Sequence, residues 1–159
     1  MDGPLWGAFG PYGMDGSRTP RSEMAARIAH WGAAPEQADL WRSRPVRGEV
    51  GIIYAPESQR FAQAQQGDTD YYTAAINGAY RGFFSHHIQP DLVHIDDIDN
   101  YTLLYLPYPL GLASATVERL CRWVERGGHL VSEGLPGYFD ARGHVSPTQP
   151  SPALATLFG

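Results

Sequence analysis

The chain has 159 residues, of which 43% are hydrophobic and 18% charged, and its formal net charge is −5. That length fits one domain of ordinary size with a real core. The acidic balance argues against a general electrostatic grip on nucleic acid or an anionic membrane, because both need a basic face.

Cys121 is the only cysteine. An internal disulfide and a cysteine-built metal cage are therefore ruled out; a reducing, cytoplasmic setting is expected, although a secreted protein without disulfides would look the same. The residues after Met1 carry neither a basic nor an apolar leader region, so no secretory signal is expected. No apolar run approaches the roughly 20 residues of a membrane span.

In chain order, Met1 to Ser17 is rich in Gly, Pro and aromatic residues (Trp6, Phe9, Tyr12) and has no period. It reads as a loop laid on a surface, or as a piece of something larger that covers its aromatics. Thr19-Pro20 predicts a helix start, with Met24, Ile28 and Trp31 at helical spacing and Gly32 as a stop. Residues 33–47 read as a linker with a helical turn around Glu36 to Trp41.

From Gly48 onward, strands alternate with helices. Val50 to Tyr54 is a short β-branched run that fits a buried parallel strand. Gln59 to Thr69 is polar and Gln-rich, and it fits either an interaction helix or a mobile insertion. Asp70 to Phe84 predicts a helix with Tyr72, Ala75, Ile76, Ala79, Tyr80 and Phe83 on one stripe. Strands follow at Asp91 to Ile95 and Thr102 to Leu106. Only Asp96 to Tyr101 joins these two, so they either pair through a short turn or are linked irregularly.

Ser114 is expected to cap a helix with Val117, Leu120, Cys121 and Val124 inward, stopped by Gly127-Gly128. His129 to Ser132 reads as a fourth strand. Tyr138-Phe139 and His144-Val145 flank a predicted hairpin, and Ser151-Pro152 opens a last short helix. Such alternation predicts right-handed βαβ units and a mostly parallel, flavodoxin-like α/β sandwich.

In open parallel sheets, ligands bind beyond the carboxyl ends of the strands. That rule nominates Glu57, Asp96, Tyr108 and Glu133, a carboxylate and tyrosine set suited to sugar hydroxyls. The neutral alternative is a set of loop and cap residues. Leu130 to Gly134 carries half of a nucleophile elbow, with Ser132 after a strand but Leu130 where the first glycine belongs. His94 and Asp96 would share one strand face, yet no third ligand has a recognisable spacing, so no metal is expected. The first strand runs into Ala55-Pro56-Glu57-Ser58 and offers no glycine cradle, so no cofactor is expected.

Several segments in this order carry a family likeness. They are Gly51-Ile52-Ile53-Tyr54-Ala55-Pro56-Glu57-Ser58, Leu103-Leu104-Tyr105-Leu106-Pro107, the helix ending Trp123-Val124-Glu125-Arg126-Gly127-Gly128-His129-Leu130-Val131, and Gly137-Tyr138-Phe139-Asp140. The sequence resembles the trimerisation domain of glycoside hydrolase family 42 β-galactosidases, preceded by the last turn of their catalytic barrel.

The resemblance implies a class I glutamine amidotransferase-like three-layer fold at 48–159, with 1–47 as barrel tail and linker. It implies a non-catalytic module that assembles homotrimers beside the barrel, where the catalytic glutamates lie, so no catalytic residue is expected in this chain. The region where that fold carries its cysteine nucleophile reads Ser132-Glu133-Gly134-Leu135 here. The chain is expected to be part of a longer polypeptide, either cut or encoded as a fragment. Two other readings are a carbohydrate-binding module using the strand-end crevice and a divergent hydrolase of the same fold.

Overall fold

The computed structural model describes residues 11–158, so Trp6 and Phe9 lie outside the described residues. The chain divides into two compact units, Met1–Val46 and Arg47–Gly159.

In the first unit, Tyr12 and Arg18 form an antiparallel bridge. Helix α1, Pro20–Ala33, starts in a capping box: the Thr19 side chain accepts from the Ser22 N–H, and the Ser22 Oγ accepts from the Thr19 N–H. Two orphan amides at the helix start are thereby satisfied. The helix runs one residue past Gly32. A 3₁₀ turn, Pro35–Gln37, and α2, Ala38–Arg42, follow, and the Trp41 indole N–H donates to the Gly32 carbonyl. Met24, Ile28 and Trp31 do form a stripe, but an exposed one.

The second unit is α/β, with strands β1 (Val50–Tyr54), β2 (Pro90–His94), β3 (Leu103–Leu106) and β4 (His129–Ser132). They form one all-parallel sheet in the order β2-β1-β3-β4, the first four strands of the flavodoxin-like order. Its helices are α3 (Pro56–Gln66), α4 (Asp70–Ser85), α5 (Ser114–Glu125) and α6 (Pro152–Phe158).

Thus the Gln-rich segment is largely helical, and Gly67 ends α3 at φ +82°, where a side chain would be strained. Strands β2 and β3 are not neighbours. They flank β1, and the chain crosses it as a 3₁₀ segment, Ile95–Asn100, pinned by the fully buried Ile98.

Strand side chains alternate between faces. Ile53, Val93, Leu104 and Leu106 join Val117, Leu120 and Trp123 of α5 and Leu154 of α6 in one core. Val50, Ile52 and Tyr54 point the other way, where α4 packs on β1 and β2. The inward face of α5 is rotated from the expected one: Trp123 is buried, whereas Cys121 and Val124 sit at the margin. Burial pushes the Cys121 thiol above its ordinary pKa, so thiolate reactivity is suppressed.

Ser114 does not cap α5. The N-cap is Ala113, whose side chain has no polar group, and a carboxylate from elsewhere takes its place. Of the expected hairpin, a single antiparallel bridge, Phe139 to Val145, is present.

Asp91 ties the start of the sheet together. Its Oδ2 accepts from the Gly48 N–H at 2.7 Å and from the Tyr101 hydroxyl at 2.8 Å. Burial, then the Asp91 carboxylate, pushes the Tyr101 phenol up to about 12. Arg119 of α5 and Arg126 just past its end both bond Asp99, which holds its carboxyl below the usual range.

Candidate functional site

Two regions of the second unit combine geometry with chemistry. The first is the carboxyl end of the sheet. Asp96, Glu57, Tyr108 and Glu133 follow β2, β1, β3 and β4, and so lie along that edge in that order. Three strand spacings of about 4.8 Å separate the outer strands. Glu133 and Tyr108 are brought together: Glu133 Oε2 accepts from the Tyr108 N–H at 2.8 Å, and its Oε1 accepts from the Tyr105 hydroxyl at 3.1 Å.

Tyr108 has φ +45°, which costs a non-glycine residue free energy. It sits beside the β1/β3 boundary, the topological switch point of this strand order. Its hydroxyl accepts from Gln66 at 3.0 Å, and its ring meets buried Tyr72 edge-on. Tyr72 in turn accepts the Ala55 N–H at 2.8 Å.

Glu57 is occupied differently. Because α3 begins at Pro56, Glu57 falls in the first turn of α3 and reaches the start of α5. There its Oε1 accepts from Thr116 Oγ1 and from the Ala113 N–H. A carboxylate at a helix N-terminus is favourable on both hydrogen-bond and dipole grounds.

Asp96 does not share a strand face with His94, since β2 ends at His94. It lies in the 3₁₀ segment, its side chain largely exposed and 3.1 Å from His94 Nδ1. Ser132 Oγ donates to the Glu133 carbonyl at 2.9 Å. Among the described residues no group of three or more His, Cys, Asp and Glu side chains is placed to hold a metal ion. Among them, too, no helix is long and apolar enough to cross a membrane.

The second region is an apolar groove of about 540 Å³ between α4 and β3. Its helical wall is Ala75, Gly78, Ala79 and Gly82, successive positions on one helix face. Phe83, Ile88 and Tyr105 add apolar walls, and His86 and Glu133 are its polar lining residues. Phe83 meets the Tyr105 ring edge-on at 5.7 Å. A parallel sheet is normally covered on both faces. Here α4 covers β1 and β2, while Val131 on β4 remains about half exposed.

Gly78 and Gly82 sharpen the point. A glycine inside a helix costs roughly 0.5–1 kcal/mol relative to alanine, yet beyond its own turn of helix a Cβ at either position would meet no described atom within 4 Å. Inside the described chain, alanine would fit at either position. Ala75 and Ala79 belong to the apolar stripe expected from the sequence, and the two glycines extend it. Their spacing with the alanines was the available signal.

Residues 48–159 match the family model described as β-galactosidase trimerisation domain. None of the curated proteins compared by sequence matches. Among solved structures, the chain is similar to a β-galactosidase from Bifidobacterium adolescentis, with a TM-score of 0.62 and 22% identity over 72% of this chain and 55% of that one. It is similar to the cold-adapted β-galactosidase of Rahnella sp. R3, with a TM-score of 0.62 and 21% identity over 92% of this chain and 22% of that one. A third likeness is to the β-galactosidase of the haloarchaeon Halorubrum lacusprofundi, with a TM-score of 0.58 and 26% identity over 93% and 22%. The chain spans about half of the first of these structures and about a fifth of the other two.

Proposed function

Because this chain belongs to the family of β-galactosidase trimerisation domains, we propose that it is a non-catalytic module holding copies of a β-galactosidase-like glycoside hydrolase in a homotrimer. In this reading residues 48–159 form the assembly domain, of the amidotransferase-like kind. Residues 1–47 are the tail of the catalytic barrel, which carries the catalytic glutamates, and the exposed Met24, Ile28 and Trp31 stripe faces that barrel. The setting is cytoplasmic, with neither nucleic acid nor membrane as partner.

The observation that carries the proposal beyond the family match is the α4 groove. It is an uncovered apolar face whose helix keeps two glycines at a cost to its own stability. Small residues let another backbone approach closely, so the groove suits contact with a neighbouring copy. A ring of three requires a heterologous contact, in which each copy offers two different surfaces. The groove is one of them. Solution mass across a concentration series tests the proposal.

The strained backbone of Tyr108, held by Glu133 beside the switch point, favours a second reading in which the strand-end crevice of Glu57, Asp96, Tyr108 and Glu133 takes a sugar. On that reading lactose shifts the amide resonances of Tyr108 and Glu133, and Glu133→Gln abolishes the shift. Unmoved resonances at high lactose sink it.

A further inference from the structure

A separate cavity of about 480 Å³ lies between the bridged loop after β4 and the starts of α5 and α6. Phe139, Val117 and Val145 give it apolar walls, while Ser114, His144, Ser146 and Ser151 bring polar groups. The size falls within the usual range of small-molecule sites. Three features give it chemistry.

The imidazole is held from behind. Asp140 Oδ1 accepts the Arg142 and His144 N–H groups at 2.8 and 2.9 Å, and Asp140 Oδ2 lies 3.2 Å from His144 Nδ1. These bonds hold the Asp140 carboxyl below its ordinary range. A carboxylate at Nδ1 places the proton there and leaves Nε2 of the neutral ring as an acceptor.

Ser146 supplies the second feature. Its N–H is used by the Tyr138 carbonyl at 2.8 Å, but its Oγ is buried without a hydrogen-bond partner, alone among the described side-chain polar atoms. Such a group carries a desolvation cost, which a turn about χ1 that brings the Oγ to a partner in the cavity relieves.

The third is charge. Glu118 and Asp140 line the cavity, and neither lysine nor arginine does, so an anion is disfavoured there. Isolated metal ions are poorly matched to the aromatic and aliphatic walls.

We infer that this cavity binds a neutral, polyhydroxylated small molecule of mono- or disaccharide size. Hydroxyl groups donate to His144 Nε2 and the carboxylates and pair with Ser146 Oγ once it turns into the cavity, while a C–H face lies on the apolar wall. This site is distinct from the strand-end crevice and from the α4 groove, and it does not depend on how the chain assembles.

The test is an NMR titration of the labelled chain with galactose, and with lactose in parallel. The expected result is a saturable shift of the Phe139, His144 and Ser146 amides, with affinity lowered about tenfold in Ser146→Ala, the loss of roughly one hydrogen bond. Removing an unsatisfied buried hydroxyl leaves folding intact, so that variant reports on binding alone. His144→Gln, which alters the acceptor, is expected to weaken binding as well. Absence of saturable shifts at these amides with either sugar overturns the inference. Shifts that both variants leave unchanged overturn it too.

Discussion

Trp123→Ala is expected to lower the stability of the second unit by about 3–5 kcal/mol, the usual cost of deleting a buried tryptophan side chain. Set against the 5–15 kcal/mol typical of a whole domain, the variant should be only marginally folded at room temperature. Trp123 is 4% exposed and belongs to the core that joins α5 to the sheet. Its ring also defines what can stand at Gly128: a Cβ there would lie 2.4 Å from the indole carbons.

Gly128→Ala should therefore cost about 1–3 kcal/mol by overpacking. In the Trp123→Ala background the same change should cost little, since the indole it strikes is gone. Thermal or denaturant unfolding of the two single variants and the double variant checks both statements through the coupling energy. Additive costs would mean that the two residues do not meet as described.

Gly78→Arg and Gly82→Arg should have the opposite signature. Both positions are helical and exposed, and neither has an atom within 4 Å of a new Cβ. Each substitution should raise the unfolding free energy of the isolated chain by about 0.5–1 kcal/mol through helix propensity. Each should also abolish assembly, because a guanidinium would stand in an apolar contact. Unfolding curves and solution mass, measured on the same samples, separate the two effects. A variant that gains stability and still assembles places the contact elsewhere.

How much could be read from the residues is clearest at particular positions. The central strand β1 is legible because a parallel strand buried on both faces leaves a short β-branched run, Val50 to Tyr54. The order of the strands follows only from the flavodoxin-like class and not from local pattern, since β1 lies between β2 and β3 through contacts distant in sequence, and a six-residue 3₁₀ crossing leaves no periodic signature. Trp123 lies just before the Gly127-Gly128 helix stop and off the expected inward set, yet Thr116, Val117, Leu120 and Trp123 form the buried face of α5. A shift of one position around the helix moved Cys121 to the rim.

The strand-end rule placed Glu57, Asp96, Tyr108 and Glu133 along one edge, as the topology has them. It could not tell that Glu57 serves the start of α5, which depends on α3 beginning at Pro56. The left-handed backbone at Tyr108 has no sequence signal, because a tyrosine there is unusual. The α4 groove needed the opposite kind of reading, in which residues that fit poorly with an isolated helix are taken as marks of a partner.

Light scattering across a concentration series shows whether this chain assembles copies of itself. The expected result is a mass three times that of the chain, stable on dilution and reduced to a single chain's mass by Gly78→Arg. A monomer at every concentration would contradict it.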